Sequence, residues 1–131
     1  MDAAWEQAVR CADAQAVRTL LVQGTDIDSR DRYGQTAIML AAHAGQREIV
    51  ETLIAHRANL NLTAKFSLSA LMLAILAGHE EIAILLAQAG ADLSLRGGGA
   101  PGFADKTAYD LAAERDMQAL SKVLAPKPEG T

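Results

Sequence analysis

Cysteine occurs once in this 131-residue chain, as Cys11. One thiol cannot close an internal disulfide or build a cysteine-based zinc site, so the fold must be held by packing alone and a reducing, cytoplasmic setting is expected. Aromatic residues make up only 4% of the chain, which leaves alanine and aliphatic side chains to form the core and implies closely packed helices. The most apolar stretch, Leu68 to Ala77, ends at Gly78-His79-Glu80-Glu81 after about ten residues, against the roughly 20 that a membrane span needs. The first residues, Met1-Asp2-Ala3-Ala4-Trp5-Glu6, show no basic stretch ahead of an apolar one, so no secretory signal is expected. Excess positive charge is absent too: 12 Lys and Arg against 16 Asp and Glu give a net charge of −4. A general nucleic-acid binder would carry the opposite sign, leaving only a local basic face as a route to nucleic acid. The remainder, half apolar and 21% charged, reads as one globular domain.

The chain matches itself when shifted by 33 residues. Thr36-Ala37-Ile38-Met39-Leu40-Ala41 falls on Ser69-Ala70-Leu71-Met72-Leu73-Ala74, and Gly45, Ile49, Leu53 and Ala58 fall on Gly78, Ile82, Leu86 and Ala91. Shifted the other way, Val50, Leu53 and Asn61 meet Val17, Leu20 and Asp28. A fourth copy opens at Thr107-Ala108-Tyr109-Asp110-Leu111-Ala112, five residues late, which puts an insertion within Gly97 to Gly102. Such a period marks a repeat architecture.

Inside each unit, apolar residues at helical spacing form two short blocks divided by a turn, as in Ile38, Leu40, Ala41, then Ala44-Gly45, then Ile49, Val50, Leu53, Ile54. Thr36, Ser69 and Thr107 stand where a hydroxyl caps the first helix. Asn59-Leu60-Asn61-Leu62-Thr63 and Asp28-Ser29-Arg30-Asp31-Arg32-Tyr33-Gly34 are too long for a simple helical hairpin and should project as loops. Neither helix is long enough to stand alone, so units must stack in one dimension.

Residues Asp31 to Thr63, with Asp31, Gly34, Thr36, Leu40-Ala41-Ala42, Gly45, Ile49-Val50, Leu53-Ile54 and Ala58-Asn59-Leu60-Asn61, resemble the ankyrin repeat and its Thr-Pro-Leu-His-x-Ala signature. Gly78-His79-Glu80-Glu81-Ile82 and Ala89-Gly90-Ala91-Asp92-Leu93 carry the same pattern. Departures occur: the family proline is Ala37, Ala70 or Ala108, its histidine Met39, Met72 or Asp110, and its loop glycine is Ser67 in the third unit. The local hydrogen bonds thereby lost predict modest stability. The resemblance implies an all-α ankyrin-repeat solenoid of helix-turn-helix units with projecting β-turn loops. Its expected layout is an N-capping unit over 1–30, internal units over 31–63 and 64–96, a C-capping unit over 97–124, and a disordered tail over 125–131.

No catalytic, cofactor-binding or metal-binding set emerges, and no enzyme is expected. Gly97-Gly98-Gly99-Ala100-Pro101-Gly102-Phe103-Ala104-Asp105-Lys106-Thr107 ends in Lys-Thr like a phosphate-binding loop, but that motif needs glycine before the lysine and a preceding strand, and Asp105 would repel phosphate. His43, His56 and His79 lack the i, i+4 arrangement of a metal site, and the serines lack a strained nucleophile turn. Cys11 beside Arg10 reads as a small apolar residue in a capping helix. Glu48, Glu51, Glu80 and Glu81 read as the solvated side of second helices.

Ankyrin-like proteins typically bind protein partners along the loop tips and the first-helix edges beside them. Carried over residue by residue, that face would consist of Arg30, Arg32, Tyr33 and Gln35, then Lys65, Phe66 and Leu68, then Arg96, Phe103 and Lys106, continued in the groove by Met39, His43, Met72, Leu76 and Arg10. Trp5 and Tyr109 read as packing residues, whereas Tyr33, Phe66 and Phe103 have no periodic reason to be apolar. Two accounts of these rings stand open: hot spots beside cations, or covers folded onto neighbouring loops. The expected partner is another protein, through an acidic or mixed-polarity segment, with the chain acting as a monomer; nucleic-acid binding through the basic loops is the alternative.

Overall fold

The computed structural model describes residues 1–99 and 102–125. The tail expected over 125–131 lies outside them apart from Ala125, as do Ala100 and Pro101 in the insertion. Among the described residues are α1 (Ala3–Arg10), α2 (Ala14–Val22), α3 (Ala37–Ala44), α4 (Arg47–Ala55), α5 (Ala70–Leu76), α6 (Glu80–Gln88), α7 (Ala108–Glu114) and α8 (Gln118–Leu124), with one short 3-10 turn, Lys65–Ser67. They form four helix pairs. The first helices pack in a row, α1 on α3, α3 on α5 and α5 on α7, and the second helices do the same from α2 to α8.

The helices are seven to nine residues long, below the roughly 12 to 15 at which an isolated helix becomes marginal. Lateral burial therefore supplies their stability. Val9, Val17, Ile38, Ile49, Leu53, Leu71, Ile75, Leu86, Leu111 and Leu120 are buried, each contributing about 1.5 to 3 kcal/mol relative to exposure. Alanines between them, including Ala41, Ala42, Ala74 and Ala112, are buried as well and let the helices approach.

The expected caps are found at Ser69, whose Oγ accepts from Met72 N, and at Thr107, which accepts from Asp110 N. Thr36 differs: its buried Oγ1 makes no hydrogen bond and its N–H donates to Met39 Sδ at 3.5 Å. Asp110, in the place of the family histidine, accepts from Thr107 N at 3.0 Å, which makes this cap reciprocal, where Thr36 and Ser69 each make one of the two bonds.

Turns inside each pair need one left-handed residue. Gly45 (φ 78°) and Gly78 (φ 85°) supply it between α3 and α4 and between α5 and α6, and Ala12 and Asp116 hold the same place at the two ends. His79 leans on the first of these turns, with its Nε2 3.2 Å from the carbonyl oxygen of His43. On the far side, side chains tie one unit to the next: Asp28 Oδ1 accepts from Asn59 N at 2.9 Å, and Asn61 Oδ1 accepts from Asp92 N at 2.7 Å. Both bonds join equivalent positions of successive units, so the ladder repeats with the sequence period.

The solvated acidic row also has structural partners. Arg47 bridges Glu51 on its own helix and Glu81 on α6, and these contacts, the Glu51 hydrogen bond first, push its guanidinium above the ordinary range. Glu80, expected merely to solvate α6, has its Oε2 3.2 Å from Leu120 N, where it satisfies an orphan donor in the first turn of α8.

Candidate functional site

The loop face is built from residues that enter and leave the first helices. Asp31 anchors its beginning. Its carboxylate is almost fully buried and accepts from the Tyr33 and Gln35 amides at 2.9 Å and from Arg10 Nη2 at 3.3 Å, so the backbone carrying Arg32 and Tyr33 is held in a fixed turn. Tyr33 is 65% exposed at its tip, and the Arg32 guanidinium lies over its ring at 5.3 Å.

The same arrangement recurs one unit later. Lys65 Nζ lies 5.0 Å over the ring of Phe66. Here the backbone is strained: Phe66 (φ 64°) and Ser67 (φ 57°) are both left-handed, where the preceding unit has Gly34 in the position of Ser67. Left-handed backbone costs a non-glycine residue about 1 to 2 kcal/mol. The insertion offsets it. Gly98 N donates to Phe66 O at 2.8 Å, and the rings of Phe66 and Phe103 meet at 5.8 Å with a 47° tilt, a geometry that favours aromatic pairs. Phe66 and Phe103 are therefore half-buried against one another: they cover neighbouring loops and keep part of each ring exposed.

The insertion itself is a clasp. Gly97 N donates to Lys106 O, and Asp105 N donates to Gly97 O, both at 2.9 Å. The amides of Gly97 and Gly98 are thus already engaged within the protein, which removes them as a phosphate cradle.

The structure separates the other expected contact residues. Met39 and Met72 are 1% exposed and Leu68 6%; they belong to the core, because the first helices are so short that the next unit covers this side of them, and they leave the candidate surface. Arg30 donates to the carbonyls of Gly34 and Thr63, and Arg96 donates to the Asp105 carbonyl, so both clamp loops. Lys106 pairs with Glu114 at 3.0 Å. Gln35 and Leu76 are half-buried and His43 is exposed. His43 and Leu76 hold equivalent places on α3 and α5, with Arg10 and Glu114 continuing the row on α1 and α7. Arg32 and Lys65 remain as the loop-face cations with no carboxylate or carbonyl on their head groups among the described residues.

Two smaller expectations change. Tyr109 is 37% exposed, with no helix stacked beyond α7 among the described residues. Cys11 is exposed just after α1 rather than packed within it. Sequence reasoning also missed Asp31 as the organiser of the Tyr33 tip; its position immediately before the exposed pair was the available signal.

The family model for ankyrin repeats (3 copies) matches residues 5–96. The chain belongs to the ankyrin repeat family. The all-α solenoid expected from the residues is this family's fold, and the helix pair α7 and α8 follows the matched ankyrin residues. Ankyrin repeats are generally protein-protein interaction modules, and the family is typically non-enzymatic. No curated protein matches the chain. Among the described residues, no helix of this ankyrin protein is long and apolar enough to cross a membrane.

Proposed function

We propose that this ankyrin protein is a non-enzymatic adaptor or regulator, acting as a cytoplasmic monomer, that binds an acidic or mixed-polarity segment of another protein. In this reading the units over 31–63 and 64–96 form the working part, with 1–30 and 97–124 as caps. The contact surface is Arg32, Tyr33 and Gln35, then Lys65 and Phe66, with His43 and Leu76 in the groove beside them. Arg30, Arg96, Phe103 and Lys106 serve by holding the loops in place.

The observation that carries the proposal is the repeated pair of an unengaged cation over an aromatic ring, at Arg32 with Tyr33 and at Lys65 with Phe66. Arginine and tyrosine are among the residues that dominate interface energies. Tyr33 presents a large aromatic surface on a turn whose backbone is already held by Asp31, so little backbone entropy is left to lose on binding. An anionic partner would find these cations without a carboxylate on them among the described residues.

Nucleic acid is the weaker alternative. The two loop-face cations left unengaged among the described residues neutralise about two phosphates, against the 6 to 10 contacts of a strong binder.

Affinity capture from the native cell, followed by titration of the recovered protein with the purified chain, tests the proposal. Changing Arg32, Tyr33, Lys65 and Phe66 together to Ala should abolish binding without unfolding the helices; full affinity in that variant removes the site.

A further inference from the structure

The first unit keeps the side of its helix pair that later units bury against the unit before them. Ala37, Ala41, Ile49 and Leu53 are buried, and Ala70, Ala74, Ile82 and Leu86 repeat them one unit on. Their equivalents in the first unit are Ala4, Ala8, Ala16 and Leu20. Ala4 is exposed, Ala16 and Leu20 are half-buried, and all four line an open groove of about 490 Å³ along α1 and α2. Ala16 stands where Ile49, Ile82 and Leu120 are buried in the other units, so the groove is hollow where an interior unit is filled. A terminal face shaped only for solubility is polar. Here Asp13 is the one charged residue of the lining, while Arg10 and Arg18 reach towards Asp31 and Glu48 of the following unit.

Asp13 selects the occupant. Gln46 and His79 hold its place in the next two units, where Gln46 Nε2 lies 3.4 Å from the Arg10 carbonyl oxygen and His79 Nε2 3.2 Å from that of His43. Both side chains can donate to the unit before them. A carboxylate cannot. Asp13 Oδ1 accepts from Ala16 N at 3.1 Å, and no cation meets Asp13 among the described residues. Another ankyrin unit, including the α7 and α8 end of a second copy, would set a carbonyl against this carboxylate with no proton between them. A lysine or arginine meets it instead.

The interior also shows the form that fits. Each first helix presents buried apolar residues four apart to the next unit, Trp5 with Val9, then Ile38 with Ala42; in the last unit the same places are Tyr109 and Ala113, both exposed. The carbonyl that meets Gln46 or His79 follows one residue later. We infer that this end of the stack binds an amphipathic helix of another protein, with apolar residues at i and i+4 in the groove and a lysine or arginine in the following turn on Asp13. The surface is separate from the loop tips, so the inference goes beyond the adaptor reading.

Fluorescence anisotropy with the full chain tests it, using three labelled alanine-based helical peptides of equal length. The first carries Leu at i and i+4 with Lys at i+7 and i+8; the second moves one Leu to i+2; the third has Glu in place of Lys. The first should bind about tenfold more tightly than the second, which keeps one leucine out of the groove, and about threefold more tightly than the third. It should also slow alkylation of the exposed Cys11 thiol, which lines the groove, in proportion to occupancy. Asp13→Asn, which keeps the cap on α2, should erase the preference for Lys over Glu. Ala16→Gln, which fills the hollow, should weaken the first peptide about tenfold with helix content unchanged by circular dichroism. Changing Arg32, Tyr33, Lys65 and Phe66 to Ala should leave its affinity as it was; a loss there would put the peptide on the loop face and overturn the inference. Equal binding of the first two peptides, binding of none, a Lys preference that survives Asp13→Asn, or unslowed alkylation of Cys11 under saturating peptide also overturns it. So does sedimentation showing the chain alone polymerising with Cys11 shielded, since a second copy would then occupy the groove. Each of these failures leaves the adaptor reading, which rests on the loop tips, standing.

Discussion

Gly45 and Gly78 occupy equivalent turns, yet they should respond differently to the same substitution. Both are left-handed, at φ 78° and 85°, so Ala at either place carries a backbone cost of about 1 to 2 kcal/mol, offset by about 0.4 to 1 kcal/mol because Ala restricts the unfolded chain. The net is about 1 kcal/mol for Gly78→Ala, whose new Cβ meets nothing within 4 Å. At Gly45 the new Cβ would lie 2.7 Å from His79 Cε1 and 2.9 Å from its Nε2. The imidazole must swing away and give up its contact with the His43 carbonyl, worth about 1 kcal/mol. Gly45→Ala should therefore destabilise by about 2 kcal/mol in urea unfolding, twice the effect at Gly78. Repeated in a His79→Ala background, the Gly45→Ala effect should fall to the Gly78→Ala value. Equal effects of the two glycine substitutions in the wild-type background would refute the role given to His79 in joining the units.

Three further outcomes follow. Ser67→Gly should stabilise the fold by about 0.5 to 1 kcal/mol in the same assay, since relief of left-handed strain at φ 57° exceeds the added freedom of the unfolded glycine. Asn61→Ala should lower stability by about 1 kcal/mol and speed hydrogen exchange at the Asp92 amide, whose acceptor is Asn61 Oδ1. The Asp92 carboxyl, which accepts from the hydroxyl and the amide of Ser94, is held below the ordinary aspartate value of 3.8; a titration followed by carboxyl NMR should place its midpoint lower, and Ser94→Ala should move it back up. Because that value is depressed on folding, the associated stability is present above the ordinary aspartate value and is lost as pH falls through the lowered one.

The 33-residue period placed the helix pairs and their stacking because each unit repeats one spacing of apolar residues, and a packed stack must repeat with it. Ser69 and Thr107 were legible as caps for a local reason, a hydroxyl three residues ahead of an amide. What stayed hidden depends on contacts between units. The burial of Met39 and Met72 follows from the cover that the next unit lays over a helix of seven or eight residues, which the repeat alone does not reveal. Phe66 meets Phe103 across 37 residues through an inserted loop with no counterpart in the period. The five loop cations look alike in sequence, yet Arg30 and Arg96 turn back onto carbonyls and Lys106 onto Glu114, because each has an acceptor within reach of its own or the next loop. Glu80 likewise serves α8 from a distance of 40 residues.

Amide hydrogen exchange of the full chain, with and without the protein it captures, tests the central claim most directly. Bound partner should slow exchange at Arg32 to Gln35 and at Lys65 and Phe66, with the outer surfaces of α4 and α6 unchanged. Protection confined to α4 and α6, with the loop tips exchanging as before, would contradict the account.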